Sequence, residues 1–156
     1  IPNDALIMAK NPELLKSVSQ LINTIYSFNN ISEEIRSLVG LMASQASGCN
    51  YCIAHTSNSA IEKNISLEKV KNIWEFETSD FFSESEKAAL RIALNAAQTP
   101  NLISDEHYSE FKKYFDENQQ IEILAIISLF GFLNRWNSSL MTEIESLPST
   151  RMKEIE

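Results

Sequence analysis

Residues 32–56 read SEEIRSLVGLMASQASGCNYCIAHT. Ser32 is a capping residue followed by two acids, and Ile35, Leu38, Val39, Met42 and Ala46 then recur at helical spacing. Gly48 is placed to end that run, because glycine takes the left-handed conformation that closes a helix. A second helix is predicted at once, from about Cys49 to Lys63. Within it Cys49, Cys52, Ile53, Thr56 and Ala60 fall at i, i+3, i+4, i+7 and i+11, a single helical stripe. Both cysteines therefore share a helical face, and the flanking periodicity contains no strand.

The same reading extends outward. Asn11, Pro12 and Glu13 form an N-cap, a first-position proline and a first-turn acid, ahead of an apolar face of Leu14, Leu15, Val18, Leu21, Ile22 and Ile25. Ser66 is expected to cap a short helix through Val70, Ile73 and Trp74, with residues 75–82 as a connection. Ser83 and Glu86 have capping-box spacing and start a helix that Thr99-Pro100 stops. Ser104 opens another through Tyr108, Phe111 and Phe115, its His107 read as solvated in an acidic helix start. Asp116 with Gln119 opens the most apolar helix, whose residues from Ile121 to Leu133 are hydrophobic nearly all round and predict a central position. Leu147-Pro148-Ser149 reads as the beginning of a tail. No repeat and no Gly/Ser-rich linker divides the sequence, so one all-α domain is expected over residues 1–156.

Composition supports that class. Hydrophobic residues make up 44% and charged residues 22%, which excludes a disordered chain. Only three glycines and four prolines leave too few turn formers for a many-stranded sandwich or barrel. The 13 basic against 21 acidic side chains give a net charge of −8, with no overall attraction for phosphate backbones or anionic lipid, so no nucleic-acid partner is expected. The most apolar stretch, 121–133, holds Glu122 and is too short to cross a bilayer, so no membrane partner is expected either. No basic leader precedes an apolar run, and a cytoplasmic location is the expectation, a reducing compartment in which a reactive thiol pair is kept usable.

The chemistry gathers in one place. The only two cysteines flank Asn50-Tyr51, and one of only two histidines, His55, follows three residues later. A thiol reacts as its thiolate, which a helix N-terminus favours, and the break at Gly48 puts Cys49 there. Two thiols at i and i+3 can close a disulfide within one turn, so a sulfenic acid on one can be resolved by the other. At about 100° per residue His55 lies about 60° round the helix from Cys52 and about 120° from Cys49, so its imidazole serves Cys52. Blander readings fit less well. A structural disulfide over so short a loop removes little unfolded-chain entropy. Structural zinc needs four ligands, and beyond this cluster only His107 and carboxylates remain. Haem attachment needs histidine directly after the second cysteine, where Ile53 stands. Neither a metal nor a cofactor is expected. Tyr51 serves packing, or orients water or peroxide through its hydroxyl. Glu33 and Glu34 read as first-turn acids on a helix dipole, and Glu122 as the same or as a partly buried carboxylate.

Residues 47–56, SGCNYCIAHT, resemble the redox-active segment of the alkylhydroperoxidase D-like, carboxymuconolactone decarboxylase family. Residues 83–97 are similar to a helix of that family's second half, and residues 130–137, FGFLNRWN, to its late buried helix in the form carried by peroxidase-related members. The resemblance implies a single-domain helical bundle, and a thiol-dependent peroxidase that reduces organic hydroperoxides in antioxidant defence. It implies a hydroperoxide substrate, an external dithiol as reductant, and a homo-oligomer, either a trimer or a hexamer. In this reading Cys52 attacks the peroxide oxygen, Cys49 resolves the sulfenic acid and His55 activates Cys52. The alternative is a disulfide reductase or redox sensor without peroxidase activity. The family's peroxidase pattern places a histidine four residues after the second cysteine and a glutamate twelve before the first, where this chain has Thr56 and Ser37. The relay is therefore expected at altered positions, with His55 for the histidine and Tyr51, Glu33, Glu122 and Ser37 as its further candidates.

Overall fold

The computed structural model describes residues 1–155. Helix α1 spans Asn3–Met8, α2 Pro12–Tyr26, α3 Glu33–Ser47, α4 Asn50–Glu62, α5 Leu67–Lys71, α6 Glu84–Ala96, α7 Asp105–Tyr114, α8 Glu117–Leu140 and α9 Ser146–Ile155, with one 3-10 turn at Ile73–Glu75. The fold is all-helical, and no strand occurs among the described residues.

The capping signals set the helix starts. Asn11 Oδ1 accepts from the Leu14 N–H at 3.2 Å, and Ser32 Oγ from the Ile35 N–H at 3.2 Å. Reciprocal capping boxes open α6 through Ser83 and Glu86, and α8 through Asp116 and Gln119. A third opens α7, where His107 Nδ1 accepts from the Ser104 N–H at 3.2 Å, so His107 is a half-buried capping residue instead of a solvated ring. Ser66 makes no side-chain cap, and α5 stops at Lys71, leaving Ile73 and Trp74 in the 3-10 turn.

Helix α3 is the centre of the bundle, packed against α4, α6 and α8, with Leu38, Val39, Leu41, Met42 and Ala43 fully buried. Gly40 sets its distance to α8, since a Cβ there would stand 2.8 Å from Phe130 Cε2. A buried ion pair ties the same two helices, Arg36 Nη2 lying 2.7 Å from Glu122 Oε1. Helix α8 differs from expectation. Ile123, Ile126, Ile127, Leu129 and Phe130 are buried, but Ile121, Leu124, Phe132 and Leu140 are exposed, because the bundle covers only one side of the helix.

The two ends of the chain hold further differences. The expected tail at 147–149 is the start of α9, which packs on α4. Pro148 sits in its first turn, where backbone N–H groups have no intrahelical acceptor and a missing one costs nothing. Helix α1 was not expected, being six residues with no side-chain cap and too short for a periodic pattern.

Candidate active site

Gly48 ends α3 with φ 65° and ψ 27°, and the chain turns straight into α4 with Cys49 as its N-cap. The Cys49 sulfur takes the place of the usual capping oxygen, accepting from the Cys52 N–H at 3.3 Å. The Cys52 S–H donates to the same sulfur. Against the cost of burial, that bond, the backbone N–H groups of Cys52 and Tyr51, and the Ser138 hydroxyl hold the Cys49 thiol down to about 6. The proton that stabilises Cys49 is the one that Cys52 keeps. Donation to Cys49, burial and the adjoining thiolate charge push the Cys52 thiol up, with an opposing bond from Asn137 Nδ2 at 3.7 Å. Both cysteines are buried and both are free thiols.

A cavity of about 260 Å³ opens beside them. Its lining joins Cys52, Tyr51, His55 and Asn137 to Gly40, Phe130 and Leu133, to Pro2 and Asp4, and, at the far end, to Tyr26, Arg36, Ser37 and Lys63 from the parts of α2, α3 and α4 remote from the thiols. Cys49 borders a separate depression with Gly48, Asn50, Met141 and Ile144. Of the two sulfurs it is that of Cys52 that shares the cavity with the imidazole.

His55 is held from behind. Its Nε2 lies 2.5 Å from Glu145 Oε2, and its ring stacks on Tyr51 with centroids 4.3 Å apart. The Tyr51 hydroxyl, 3.0 Å from Glu145 Oε1, donates to that oxygen and lies 3.3 Å from Asp4 Oδ1. The Asn3 N–H donates to the same Glu145 oxygen at 2.5 Å. Burial raises the Glu145 carboxyl, but the N–H groups of Asn3 and of Glu145 itself, together with His55 and Tyr51, outweigh it and hold the group at about 2. Burial, together with the carboxylates of Asp4 and Glu145, pushes the Tyr51 phenol up.

Of the residues singled out from the sequence, the structure brings Cys49, Cys52, Tyr51 and His55 together. Ser37 lines the far end of the cavity, where its Oγ is buried without a hydrogen bond. Glu122 is fully buried, with its oxygens on Arg36 and on the Asn30 N–H, and Glu33 is bound to Arg36 and Lys63. Neither acid contacts the histidine. The carboxylate that does, Glu145, lies 90 residues further along the chain, and no local pattern marks it. Asn137 closes the stretch 130–137 and Ser138 follows it, but only the packing of α8 on α4 brings them to the sulfurs. Among the described residues no group of three or more His, Cys, Asp or Glu side chains is placed to hold a metal ion.

The family model described as the carboxymuconolactone decarboxylase family matches residues 12–95. The chain belongs to the carboxymuconolactone decarboxylase family. YdfG of Bacillus subtilis, an uncharacterized protein, is 27% identical over 110 residues, 70% of this chain and 73% of that protein. The crystal structure of the debrominase Bmp8 superposes with a TM-score of 0.95 at 39% identity, covering 100% of this chain and 84% of that one. A cysteine-to-alanine variant of Bmp8, solved in complex with 2,3,4-tribromopyrrole, superposes with a TM-score of 0.96 at 38% identity, over 100% and 83%. A putative antioxidant defence protein AhpD from Agrobacterium tumefaciens shares the fold, with a TM-score of 0.83 at 18% identity over 89% of this chain and 95% of that one.

Proposed function

We propose that the protein is a thiol-dependent oxidoreductase in which Cys52 takes an electrophilic atom from a small substrate in the cavity and Cys49 displaces it by closing a disulfide. The carrying observation is the division between the two thiols: Cys52 shares the cavity with His55, while Cys49, the readily ionised sulfur, is hydrogen-bonded to Cys52 but borders a different depression. In the first half-reaction the Cys52 proton passes to His55 and the sulfur attacks. The imidazolium then protonates the fragment that leaves. In the second, the Cys49 thiolate attacks the Cys52 sulfur, and an anion departs as the S–S bond forms. An external dithiol returns the pair to its reduced state.

A halogenated aromatic ring is the substrate class best supported, by 39% identity over the whole chain with a debrominase and by a cavity with Tyr26, Phe130 and Leu133 in its walls. On such a ring the S–Br bond forms as the C–Br bond breaks. The electron pair stays on carbon, which takes the proton, and bromide is the anion released. The second reading is the hydroperoxide. There the S–O bond forms as O–O breaks, the alkoxide takes the proton to become an alcohol, and hydroxide is released. Thr56 and Ser37, at the positions where the peroxidase pattern has histidine and glutamate, weigh toward the first reading. The subunits are proposed to assemble as a homo-oligomer, a trimer or hexamer, for which the exposed Phe132 and Leu140 of α8 offer an apolar face. No described helix is long and apolar enough to cross a membrane.

The test is anaerobic mixing of the reduced protein with 2,3,4-tribromopyrrole and, separately, with cumene hydroperoxide, measuring bromide, alcohol and protein disulfide. One disulfide per bromide is expected, with Cys52→Ser inert and Cys49→Ser halted after a single half-reaction. Fast alcohol formation without bromide establishes the second reading. A pair that cycles with dithiols but consumes neither compound is a disulfide reductase or sensor.

A further inference from the structure

We infer that Glu145 is the positioning acid of the site: it fixes the tautomer and ring plane of His55 so that Nδ1 is the free base on the Cys52 side. The inference deepens the proposed function and rests on its assignment of His55 to Cys52. An ionised carboxylate only accepts hydrogen bonds, so the 2.5 Å contact to Glu145 Oε2 requires the imidazole proton on Nε2. That leaves the lone pair on Nδ1, the nitrogen nearer the helix. Side chains on a helix lean back over the preceding turn, which here carries Tyr51 and Cys52, and the stacking on Tyr51 shows His55 leaning that way.

The carboxylate is itself pinned. Its second oxygen accepts from the Tyr51 hydroxyl and the Asn3 N–H, and the Asn3 side chain donates to the Glu143 carbonyl at 2.9 Å, so α1 and the segment after α8 lock each other. Glu33 and Glu122 are occupied by cations at the far end, and the position twelve residues before the first cysteine is Ser37. Glu145 is the carboxylate hydrogen-bonded to the imidazole. It does not line the cavity, so its effect reaches substrate only through His55.

The test uses the full chain and two readouts. Imidazole 15N shifts report the tautomer of His55, and the alkylation rate of Cys52 by iodoacetamide in a Cys49→Ser background reports its activation without any substrate. The parent is expected to show the Nε2–H tautomer. Glu145→Ala is expected to mix the tautomers and slow alkylation by about 10-fold or more, part of the roughly 10²–10⁴-fold that a correctly placed general base supplies. Glu145→Gln, which keeps the size and an acceptor oxygen, is expected to fall between and decides the matter if the alanine variant does not fold. A parent His55 carrying its proton on Nδ1, or folded variants with the parent's alkylation rate, overturns the inference. Both readouts stand even if the protein reduces neither brominated pyrrole nor hydroperoxide, so failure of the proposed substrate and failure of this assignment are separate results.

Discussion

At Cys49 a sulfur caps a helix where an oxygen is usual, and one atom thereby serves both the fold and the chemistry. Its thiol is held down to about 6 chiefly by the Cys52 S–H, so it is thiolate above that pH and thiol below. Alkylation of the parent is therefore expected to rise through about pH 6. Cys52→Ala removes the S–H donor, and the midpoint is expected to climb by more than one pH unit, measured as rate against pH by mass spectrometry. The residues of this cluster were legible in the sequence because Cys49, Cys52 and His55 lie within seven positions of one helix, where spacing alone fixes their relative angles. Glu145 was not, because a contact across 90 residues is a property of packing and leaves no periodic trace.

At the scale of elements, α3 is held to α8 by a close approach and by a charge pair. Arg36 and Glu122 are both buried, and removing one partner strands the other. Glu122→Ala is expected to lose about 3–5 kcal/mol in urea unfolding, without direct contact with the thiols. Gly40→Ala drives a Cβ into the Phe130 ring and is expected to cost about 1–3 kcal/mol. Because Gly40 and Phe130 also line the cavity, the same variant is expected to raise the KM of any ring substrate. Helix starts were legible wherever a side chain makes the cap, as at Asn11, Ser32, Ser83, Ser104 and Asp116. At α1 and α9, by contrast, nothing local announces a helix: the first has no cap, and the second carries a proline that reads as a breaker until its place in the first turn is known. The outer face of α8 was not legible, because apolar residues all round a helix say nothing about which side the bundle will cover.

In the whole molecule helix α1 and the segment between α8 and α9 meet beside the histidine, through Asn3, Glu143 and Glu145. The Glu145 carboxyl stands at about 2 against an ordinary 4.5, so its contribution to stability is complete above about pH 4.5 and disappears as the pH falls toward 2. The parent is expected to exceed Glu145→Gln in thermal stability at pH 5, with the difference vanishing near pH 2. The proposed assembly makes a separate demand. Phe132→Glu on the exposed face of α8 is expected to give a smaller species in sedimentation with unchanged helical circular dichroism.

The sulfur cap at the start of α4 also biases the redox balance of the pair. At pH 7, lowering one thiol from 9 to about 6 favours the reduced form by about tenfold, equivalent to about 30 mV for a two-electron couple. Closing the disulfide gives up a stabilised anion and the helix cap together. The oxidised protein is thus easier to reduce, by that margin, than a pair lacking the cap, which favours return by an external dithiol to the form that meets substrate.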